Sequence, residues 1–329
     1  MPDVAAPPHE LQTLVTSLHS KYALNITGQV ATYIPELGKA NPEHFGVSLV
    51  ATDGRRFEAG DVEQPFTIQS ISKPFAFGLA VEELGADNVL QRVSVEPSGD
   101  AFNSIELQGG SNRPFNPMIN TGAITVSALL HSKHGSKTFD HLLDRFSAIA
   151  GRQLSVDESV YESERRTGHR NRAIAHLLLN FGVVHEDIEA ALEVYFRQCS
   201  ILVTARDLAV MGATLSNMGR NPFTNDSAFA VRHVKDILSI MFTCGMYDYS
   251  GQWAYRVGIP AKSGVAGGVL AVINRQLGIG TYSPLLDPYG NSVRGIEVCV
   301  DLAGRLGLHV FDCLNMGSSF LDAVLNPSA

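Results

Sequence analysis

Residues 67–75 read TIQSISKPF, and this stretch carries the strongest signal for the fold and chemistry of the chain. Strand-like residues give way to helix-like residues here, and Ser70 lies at the junction. Ser70 and Lys73 are three positions apart, so on a helix they share one face with Cβ atoms about 5–6 Å apart. The spacing therefore predicts that the Lys73 amine reaches the Ser70 hydroxyl, close to a helix start whose N–H groups favour an oxyanion.

The pair is reactive only if the lysine is uncharged. A serine hydroxyl needs a base to take its proton, and a lysine with the usual pKa of about 10.4 is protonated at neutral pH. Burial or a nearby cation must hold the pKa of Lys73 near neutral. An S-x-x-K pattern also arises by chance as a serine cap followed by a solvated lysine. Pro74 disfavours such a regular first turn and indicates a special one.

A second signal lies far downstream, where residues 258–268 read GIPAKSGVAGG before a predicted strand. A Lys-Ser-Gly tripeptide at a strand edge, after an S-x-x-K, is the order found in serine acyl-transfer enzymes of the penicillin-recognising type. Lys262 would add positive charge near Lys73, and the Val265 N–H is a candidate second oxyanion donor. Taken alone, the run fits a glycine-rich turn equally well.

Length and composition indicate an ordinary globular protein. The chain has 329 residues, 45% of them hydrophobic and 18% charged, with a formal net charge of −8. These values exclude a disordered or collagen-like chain. The acidic balance argues against nucleic acid as a main partner, because duplex binding needs a basic face.

Compartment and cysteine use are read from the same sequence. The N-terminus has no basic stretch followed by an apolar one, and no apolar run approaches a membrane span, so we expect a cytoplasmic protein that makes no membrane contact. The four cysteines form no CxxC pair and no zinc spacing, so we expect buried, reduced thiols and neither a metal nor another cofactor. They are Cys199, Cys244, Cys299 and Cys313.

The order of predicted elements defines an α/β (α+β) architecture. Helices are predicted over residues 8–24, 74–85, 119–133, 138–150, 169–180, 186–197, 205–218 and 229–243, and a partly helical segment over 308–325. Strands are predicted over 45–52, 55–59, 269–273, 276–282 and 295–300, with a hairpin at Asp53-Gly54. We expect one antiparallel sheet built from both chain ends and flanked by helices, beside an all-helical half. The expected halves of this single domain are 1–75 with 255–329, and 76–254.

Several further segments identify a known family. They are residues 33–37, 69–75, 96–99 with 102–103, 116–124, 162–164 with 167–171, 195 with 198–200, 246–248 with 251, and 262–268. In this order they closely resemble the serine-dependent glutaminases over nearly the whole chain. The resemblance implies the fold of β-lactamases and penicillin-binding proteins. It also implies hydrolysis of L-glutamine to L-glutamate and ammonia through a glutamyl-serine intermediate, in a dimer or tetramer.

The resemblance also assigns residues to roles. Ser70 would be the nucleophile and Lys73 its base, while Tyr247 would relay a proton, support the pair or itself take the first proton. The N–H groups of Ser70 and Val265 would form the oxyanion hole. The substrate would be bound by Tyr33, Gln69, Ser70, Asn120, Glu164, Asn171, Tyr195, Tyr247, Lys262, Ser263 and Val265. Thr121 stands where the family commonly has alanine, a minor departure.

Without the family, plainer interpretations of these residues are favoured. Glu164 fits a solvated charge within a charged run, and Asn120 and Asn171 fit helix caps. Tyr195 and Tyr247 fit core aromatics with a polar tip. His169 has no Ser-His-Asp ordering around it, so we expect a structural role.

Two alternative functions share the main motifs. A β-lactamase or peptidoglycan peptidase would use the same serine and lysines, but it acts outside the cytoplasm, and one lactamase class carries a Ser-Asp-Asn element that this sequence lacks. A catalytically silent scaffold of the same fold would bind a partner or metabolite, but such a scaffold has no need of the intact pair of Ser70 and Lys73.

Overall fold

A computed structural model of the chain describes residues 8–99, 104–185 and 187–312. Its helices are α1 Pro8–Ala23, α2 Lys73–Leu84, α3 Ala86–Leu90, α4 Asn120–His134, α5 Thr138–Ala150, α6 Glu158–Thr167, α7 His169–Asn180, α8 Ile188–Cys199, α9 Ala205–Ser216, α10 Val231–Cys244, α11 Ser250–Arg256 and α12 Val293–Leu306. Its strands are β1 Gly46–Ala51, β2 Arg56–Gly60, β3 Phe66–Thr67, β4 Ser155–Val156, β5 Ile201–Val203, β6 Ala261–Ser263, β7 Gly268–Ile273 and β8 Leu277–Tyr282.

The main sheet has five antiparallel strands in the order β2-β1-β8-β7-β6. Strands β1 and β2 come from the N-terminal part of the chain and pair across the predicted Asp53-Gly54 hairpin. Strands β6 to β8 come from the C-terminal part, and β8 pairs with β1 in the centre of the sheet. The expected α/β (α+β) class, with one antiparallel sheet built from both ends of the chain, is confirmed.

Each face of the sheet carries a hydrophobic core. On one face, Val47, Val269 and Ala271 pack into a cluster with Val15 of α1 and Cys299 of α12. On the other face, Leu270 and Val272 join the large core formed with helices α2, α4, α5, α9 and α10. Burial of these apolar side chains on both faces fixes the register of the strands, since a one-residue slip would turn each of them to the opposite face.

Helix α9 lies directly on the sheet, and glycines make this close approach possible. An added Cβ at Gly280 would lie 2.0 Å from the backbone oxygen of Ala205, and one at Gly278 would lie 2.2 Å from the nitrogen of Ala213. Side chains on these two residues of β8 would push the helix away. The helix therefore packs against bare backbone at these points.

The predicted strand over residues 295–300 is wrong, because this stretch belongs to helix α12. Its β-branched residues suggested a strand, but the buried side chains Ile296, Cys299 and Leu302 recur at helical spacing. Ser292 caps the helix by accepting a hydrogen bond from the Gly295 N–H. The helix ends at Gly307, whose φ of 59° is left-handed.

Other differences concern segments for which the sequence analysis predicted no element or only a partial one. Helices α3, α6 and α11 and strand β6 were not predicted. A second sheet of three short strands, in the order β3-β5-β4, was not predicted. In the segment predicted to be partly helical, residues 308–312 form a turn, and the remainder lies outside the described residues. Among residues 8–99, 104–185 and 187–312, no helix has both the length and the apolar composition needed to span a bilayer.

Candidate active site

Ser70 lies in a tight 3-10 turn, Gln69–Ser72, that leads into helix α2. Strand β3, which precedes the turn, pairs with β5. The Ile68 N–H, just before the turn, donates to the Ile201 oxygen at 2.8 Å. Gln69 has a φ of 49°, which is uncommon for a residue with a side chain. Ser70 is therefore presented by a special turn, as Pro74 indicated, and the α-helix begins only at Lys73.

A chain of hydrogen bonds between buried residues stabilises this turn. The Ser72 hydroxyl donates to the Gln69 carbonyl at 2.7 Å and accepts from the Gln198 amide at 2.9 Å. All three side chains are at most 3% exposed. Because Ser72 uses its hydroxyl on the carbonyl of the residue that has positive φ, it stabilises the backbone geometry just before Ser70.

Lys73 is the first residue of α2 and is only 1% exposed. Its ammonium donates to the Met118 carbonyl at 3.2 Å and to Oδ1 of Asn120 at 2.7 Å. Burial lowers the pKa of Lys73 to about 8. A substantial fraction of this amine is thus uncharged at mildly alkaline pH, as a base requires.

Asn120 connects the lysine to the rest of the site. Its Oδ1 also accepts a hydrogen bond from the Tyr195 hydroxyl at 3.2 Å, and its Nδ2 donates to Oδ1 of Asn171 at 2.9 Å. Asn120 is the first residue of α4, but its side chain makes these contacts and not a helix cap. The cap interpretation of Asn120 is therefore wrong.

Glu164 is a buried carboxyl group, 5% exposed, and not the solvated charge that its sequence context suggests. Its Oε1 accepts a hydrogen bond from Nε2 of Gln69 at 2.8 Å. Burial raises the pKa of Glu164 to about 7, although the hydrogen bond with Gln69 and the charge of Lys73 oppose this shift. The group can therefore exchange between its neutral and ionised forms near neutral pH.

Tyr247 and Lys262 form the opposite wall of the site. The Tyr247 hydroxyl donates to the Ser263 carbonyl at 2.9 Å, and the Lys262 ammonium donates to the same oxygen at 2.8 Å while lying 4.0 Å from the Tyr247 ring centroid. Burial raises the pKa of Tyr247, which a hydrogen bond with Ser70 opposes. Burial, and then the charge of Lys73, lower the pKa of Lys262.

Val265 follows β6 in a tight glycine-rich turn. The backbone hydrogen bonds of this turn are donated by Gly264, to Gly268, and by Gly267, to Gly264. The N–H of Val265 takes part in neither of these two hydrogen bonds. An added Cβ at Gly264 would lie 3.0 Å from the Ile68 oxygen, so this turn lies directly against the segment that carries Ser70.

One pocket collects most of the sequence-predicted substrate residues. It is lined by Tyr33, Gln69, Ser70, Asn120, Glu164, Asn171 and Tyr195. Tyr33 is 56% exposed and the others are buried or half-buried, so the pocket has a phenolic ring at its more open side and polar groups inside. The interpretation of Tyr195 as a core aromatic with a polar tip describes its burial but not its place in this pocket.

Other predicted residues do not line this pocket. Lys73 contacts it through Asn120, whereas Lys262 and Ser263 contact Tyr247. Val265 belongs to the turn whose Gly264 lies against the segment that carries Ser70. Tyr247 lines a neighbouring cavity with Met118, the residue whose carbonyl accepts from Lys73. His169 is exposed and is not among the lining residues.

Five residues of the lining had no role assigned from the sequence: Ile34, Thr167, Gly168, Arg170 and Cys199. All five lie inside segments that carried the family resemblance, so proximity to assigned residues was the available signal. Arg170 brings a permanent positive charge to the pocket. Burial raises the pKa of Cys199 well above its usual value, so its thiol stays protonated and is a poor nucleophile.

The described cysteines behave as expected from the sequence. Cys199, Cys244 and Cys299 are all buried and unpaired. Cys313 lies outside the described residues.

The arrangement supplies the parts that acyl transfer needs around one hydroxyl. The buried amine of Lys73 follows Ser70 by one turn, and the Tyr247 phenol hydrogen-bonds Ser70. The glycine-rich turn after β6 lies against the segment that carries Ser70. The adjoining pocket offers a buried carboxyl, amides and a guanidinium, which match the ammonium and carboxylate of a free amino acid.

Comparison with known proteins identifies the family of this chain. The family model described as Glutaminase matches residues 28–311. A glutaminase from Trichormus variabilis (strain ATCC 29413 / PCC 7937) is 53% identical over 314 residues, which cover 95% of this chain and 94% of that protein.

Solved structures share the fold of this chain. Mglu in its glutamate form has a TM-score of 0.89 and 42% identity, over 95% of this chain and 71% of that one. A probable glutaminase from Bacillus subtilis, complexed with 6-diazo-5-oxo-L-norleucine, has a TM-score of 0.82 and 35% identity, over 94% and 98% of the two chains. The chain therefore belongs to the glutaminase family and is an amidohydrolase with the β-lactamase-like fold of that family.

Proposed function

We propose that this protein hydrolyses the side-chain amide of L-glutamine through a glutamyl-serine intermediate, with Ser70 as the nucleophile and Lys73 as its base. The observation that carries the proposal is the environment of Lys73. Its amine is 1% exposed, its pKa is lowered to about 8, and its two hydrogen bonds run to the Met118 carbonyl and the Asn120 amide oxygen.

The hydrogen bonds of Lys73 account for the direction of proton transfer. A neutral amine has two N–H donors and one lone pair. The carbonyl of Met118 and Oδ1 of Asn120 engage both donors. The remaining lone pair can then accept the proton of Ser70, which is three residues earlier in the turn that begins the helix.

In the first step the Ser70 oxygen attacks the amide carbon of glutamine, and its proton passes to Lys73. The amide oxygen becomes an oxyanion, which the N–H groups of Ser70 and Val265 stabilise. A donor of this kind typically contributes about 2.7–4 kcal/mol to the transition state. The turn that holds Val265 against the Ser70 segment supports this placement.

In the next step the carbon–nitrogen bond breaks, and the leaving nitrogen takes the proton that Lys73 received from Ser70, so that ammonia departs and Lys73 is neutral again. Tyr247 is placed to relay that proton, because its hydroxyl hydrogen-bonds both Ser70 and the Ser263 carbonyl. Its raised pKa keeps the phenol protonated, so it acts as a donor at neutral pH. Water then attacks the ester with the same base, which releases glutamate and restores Ser70.

The amino-acid end of the substrate would lie in the polar pocket. The Glu164 carboxylate would pair with the substrate ammonium. Asn120, Asn171 and Tyr195 would bind the carboxylate, with Tyr33 and Gln69 at the pocket wall. Lys262 and Ser263 would position Tyr247, because the Tyr247 hydroxyl and the Lys262 ammonium both donate to the Ser263 carbonyl.

Three further properties are part of the proposal. The chain forms one catalytic domain whose two halves meet at the site. It associates into a dimer or tetramer, which light scattering coupled to size-exclusion chromatography measures directly. It acts in the cytoplasm, which the unpaired cysteines among the described residues support.

The test is an ammonia-release assay with L-glutamine and L-asparagine, alongside a penicillin-labelling experiment. We expect release from glutamine, no covalent penicillin on Ser70, and a loss of at least about 10³-fold in kcat for Ser70→Ala with an unchanged melting temperature. Full residual activity in that variant would refute the assigned nucleophile, and penicillin labelling would favour the β-lactamase or peptidase alternative.

A further inference from the structure

Three side chains outside the active site bring metal-ligand atoms together. Nε2 of His134 and Nε2 of His141 each lie 2.6 Å from an oxygen of Glu83, one on each oxygen of the carboxylate. The two imidazole rings stack with centroids 4.3 Å apart. All three ligand atoms lie within 4.8 Å of one another.

The cluster is partly shielded from solvent. The Glu83 side chain is 11% exposed, that of His134 is 22% and that of His141 is 30%. Partial burial limits competition from water, yet leaves a path by which an ion can enter. The open side also leaves room for water to complete a coordination shell.

Three helices supply the ligands, and two of them also supply residues of the active site. Glu83 lies in the last turn of α2, which begins with Lys73, and His134 ends α4, which begins with Asn120. His141 lies in the first turn of α5. An ion here would join the far ends of the two helices whose first residues are hydrogen-bonded to each other.

We propose that Glu83, His134 and His141 form a binding site for a divalent transition metal of the Zn²⁺ type. Two imidazole nitrogens and one carboxylate oxygen are the donor set that Zn²⁺ and its first-row neighbours accept, whereas Mg²⁺ and Ca²⁺ prefer oxygen alone. The ion would replace the protons that now join the histidines to Glu83. Its place is remote from Ser70, so its role is structural, and this inference does not depend on the proposed reaction.

Two neighbouring cationic side chains limit the metal affinity that we expect. Lys133 and Arg145 each lie 3.8 Å from an oxygen of Glu83, and Lys133 also donates to the Glu83 backbone oxygen at 2.8 Å. Their charge opposes a dication. We therefore expect micromolar affinity, weaker than that of a closed site with four protein ligands.

The experiment is calorimetric titration of the EDTA-treated full chain with ZnCl₂, together with thermal unfolding. We expect one Zn²⁺ per chain at micromolar affinity and a rise of a few degrees in melting temperature at saturating metal. His134→Ala and His141→Ala should each weaken binding at least about tenfold, as should Glu83→Gln. His176→Ala removes an exposed histidine of α7 and should bind as the wild type does.

A second readout covers variants that fold poorly. Co²⁺ added to the wild-type chain should give visible d–d bands without the near-ultraviolet thiolate band of a cysteine site, and His141→Gln should remove them. The proposal is overturned if the wild type shows no saturable binding, if His176→Ala weakens binding as much as His141→Ala, or if the three site variants bind Zn²⁺ as the wild type does. In those cases the cluster is an ion pair alone.

Discussion

The Lys73 ammonium lies 2.7 Å from Oδ1 of Asn120, and each of these residues begins a long helix. The same oxygen accepts from Tyr195, so two donors share one amide oxygen. The acceptor is neutral, so this contact adds no charge beside Lys73, whose pKa is lowered by burial against the opposing effects of Cys199 and Glu164. Any charge placed here would act directly on the base.

Asn120→Asp should shift the pH dependence of catalysis toward alkaline pH. In the wild type, kcat/KM should rise with pH and reach half its maximum near pH 8, where Lys73 loses its proton. A carboxylate 2.7 Å away favours the ammonium, so the pKa of Lys73 rises and the rising limb should move up by about 1–3 pH units. The measurement is kcat/KM for glutamine from pH 6 to 10.5.

Asn171→Asp is the matched control, because its oxygen can still accept from Asn120 while its charge lies one residue further from the amine. Its rising limb should move less than that of Asn120→Asp. An unshifted profile in Asn120→Asp would remove Lys73 from the role of base.

Glu164→Gln should weaken substrate binding more than it slows chemistry. The variant keeps the shape and an oxygen that accepts from Gln69, but it loses the charge that pairs with the substrate ammonium. A charged hydrogen bond of about 1.5–3 kcal/mol corresponds to a roughly 10- to 150-fold rise in KM. The pKa of Glu164 is raised to about 7, so wild-type KM should fall as pH rises through 7.

In Glu164→Gln, KM should not fall as the pH rises through 7, because the amide side chain that replaces Glu164 does not ionise. The measurement is KM for glutamine between pH 5.5 and 8.5, with kcat recorded in parallel. A KM in Glu164→Gln equal to that of the wild type would move ammonium recognition to another residue.

Ser72→Ala should reduce both stability and turnover. It removes the side-chain donor to the Gln69 carbonyl and the acceptor of the Gln198 amide in a buried site, where a polar group left unsatisfied costs about 1–3 kcal/mol. The positive φ of Gln69 then loses its support, and we expect kcat to fall about tenfold or more.

Ser216→Ala is the control for Ser72→Ala. Ser216 is equally buried, donates to the Ile273 carbonyl at 2.6 Å and accepts from the Gln276 N–H at 2.9 Å. It should lower the denaturation midpoint by a similar amount and leave kcat unchanged. Equal kcat losses in both variants would show that general destabilisation, and not the turn before Ser70, limits the reaction.

Local pattern predicted much of the fold. Helices α5 and α7 have the bounds expected from the sequence, because their apolar spacing and flanking glycines agree. The error at residues 295–300 arose where β-branched residues occupy a buried helix face, since strand propensity and helix burial then give opposite answers. The small sheet was missed because its strands have only two or three residues each.

The site was less accessible to sequence reasoning than the fold. The S-x-x-K spacing identified Ser70 and Lys73, but only the family resemblance singled out Glu164 and Asn120, whose local sequence fits solvated or capping roles. Their burial depends on tertiary packing, which no short motif records. The same holds for Glu83 and the two histidines near it, because no sequence spacing connects Glu83 with His134 and His141.

The packing of α9 on the sheet gives the last prediction. Gly280→Ala should destabilise the protein by about 1–3 kcal/mol or more, because its Cβ would lie 2.0 Å from the Ala205 oxygen and 2.5 Å from the Ala209 nitrogen. Gly304→Ala, on an exposed turn of α12 where a Cβ meets nothing within 4 Å, should instead stabilise it by about 0.5–1 kcal/mol. Urea denaturation of the two variants measures both changes. Should Gly280→Ala unfold at the wild-type midpoint, helix α9 can move off the sheet without cost, and close backbone contact is not what fixes its position.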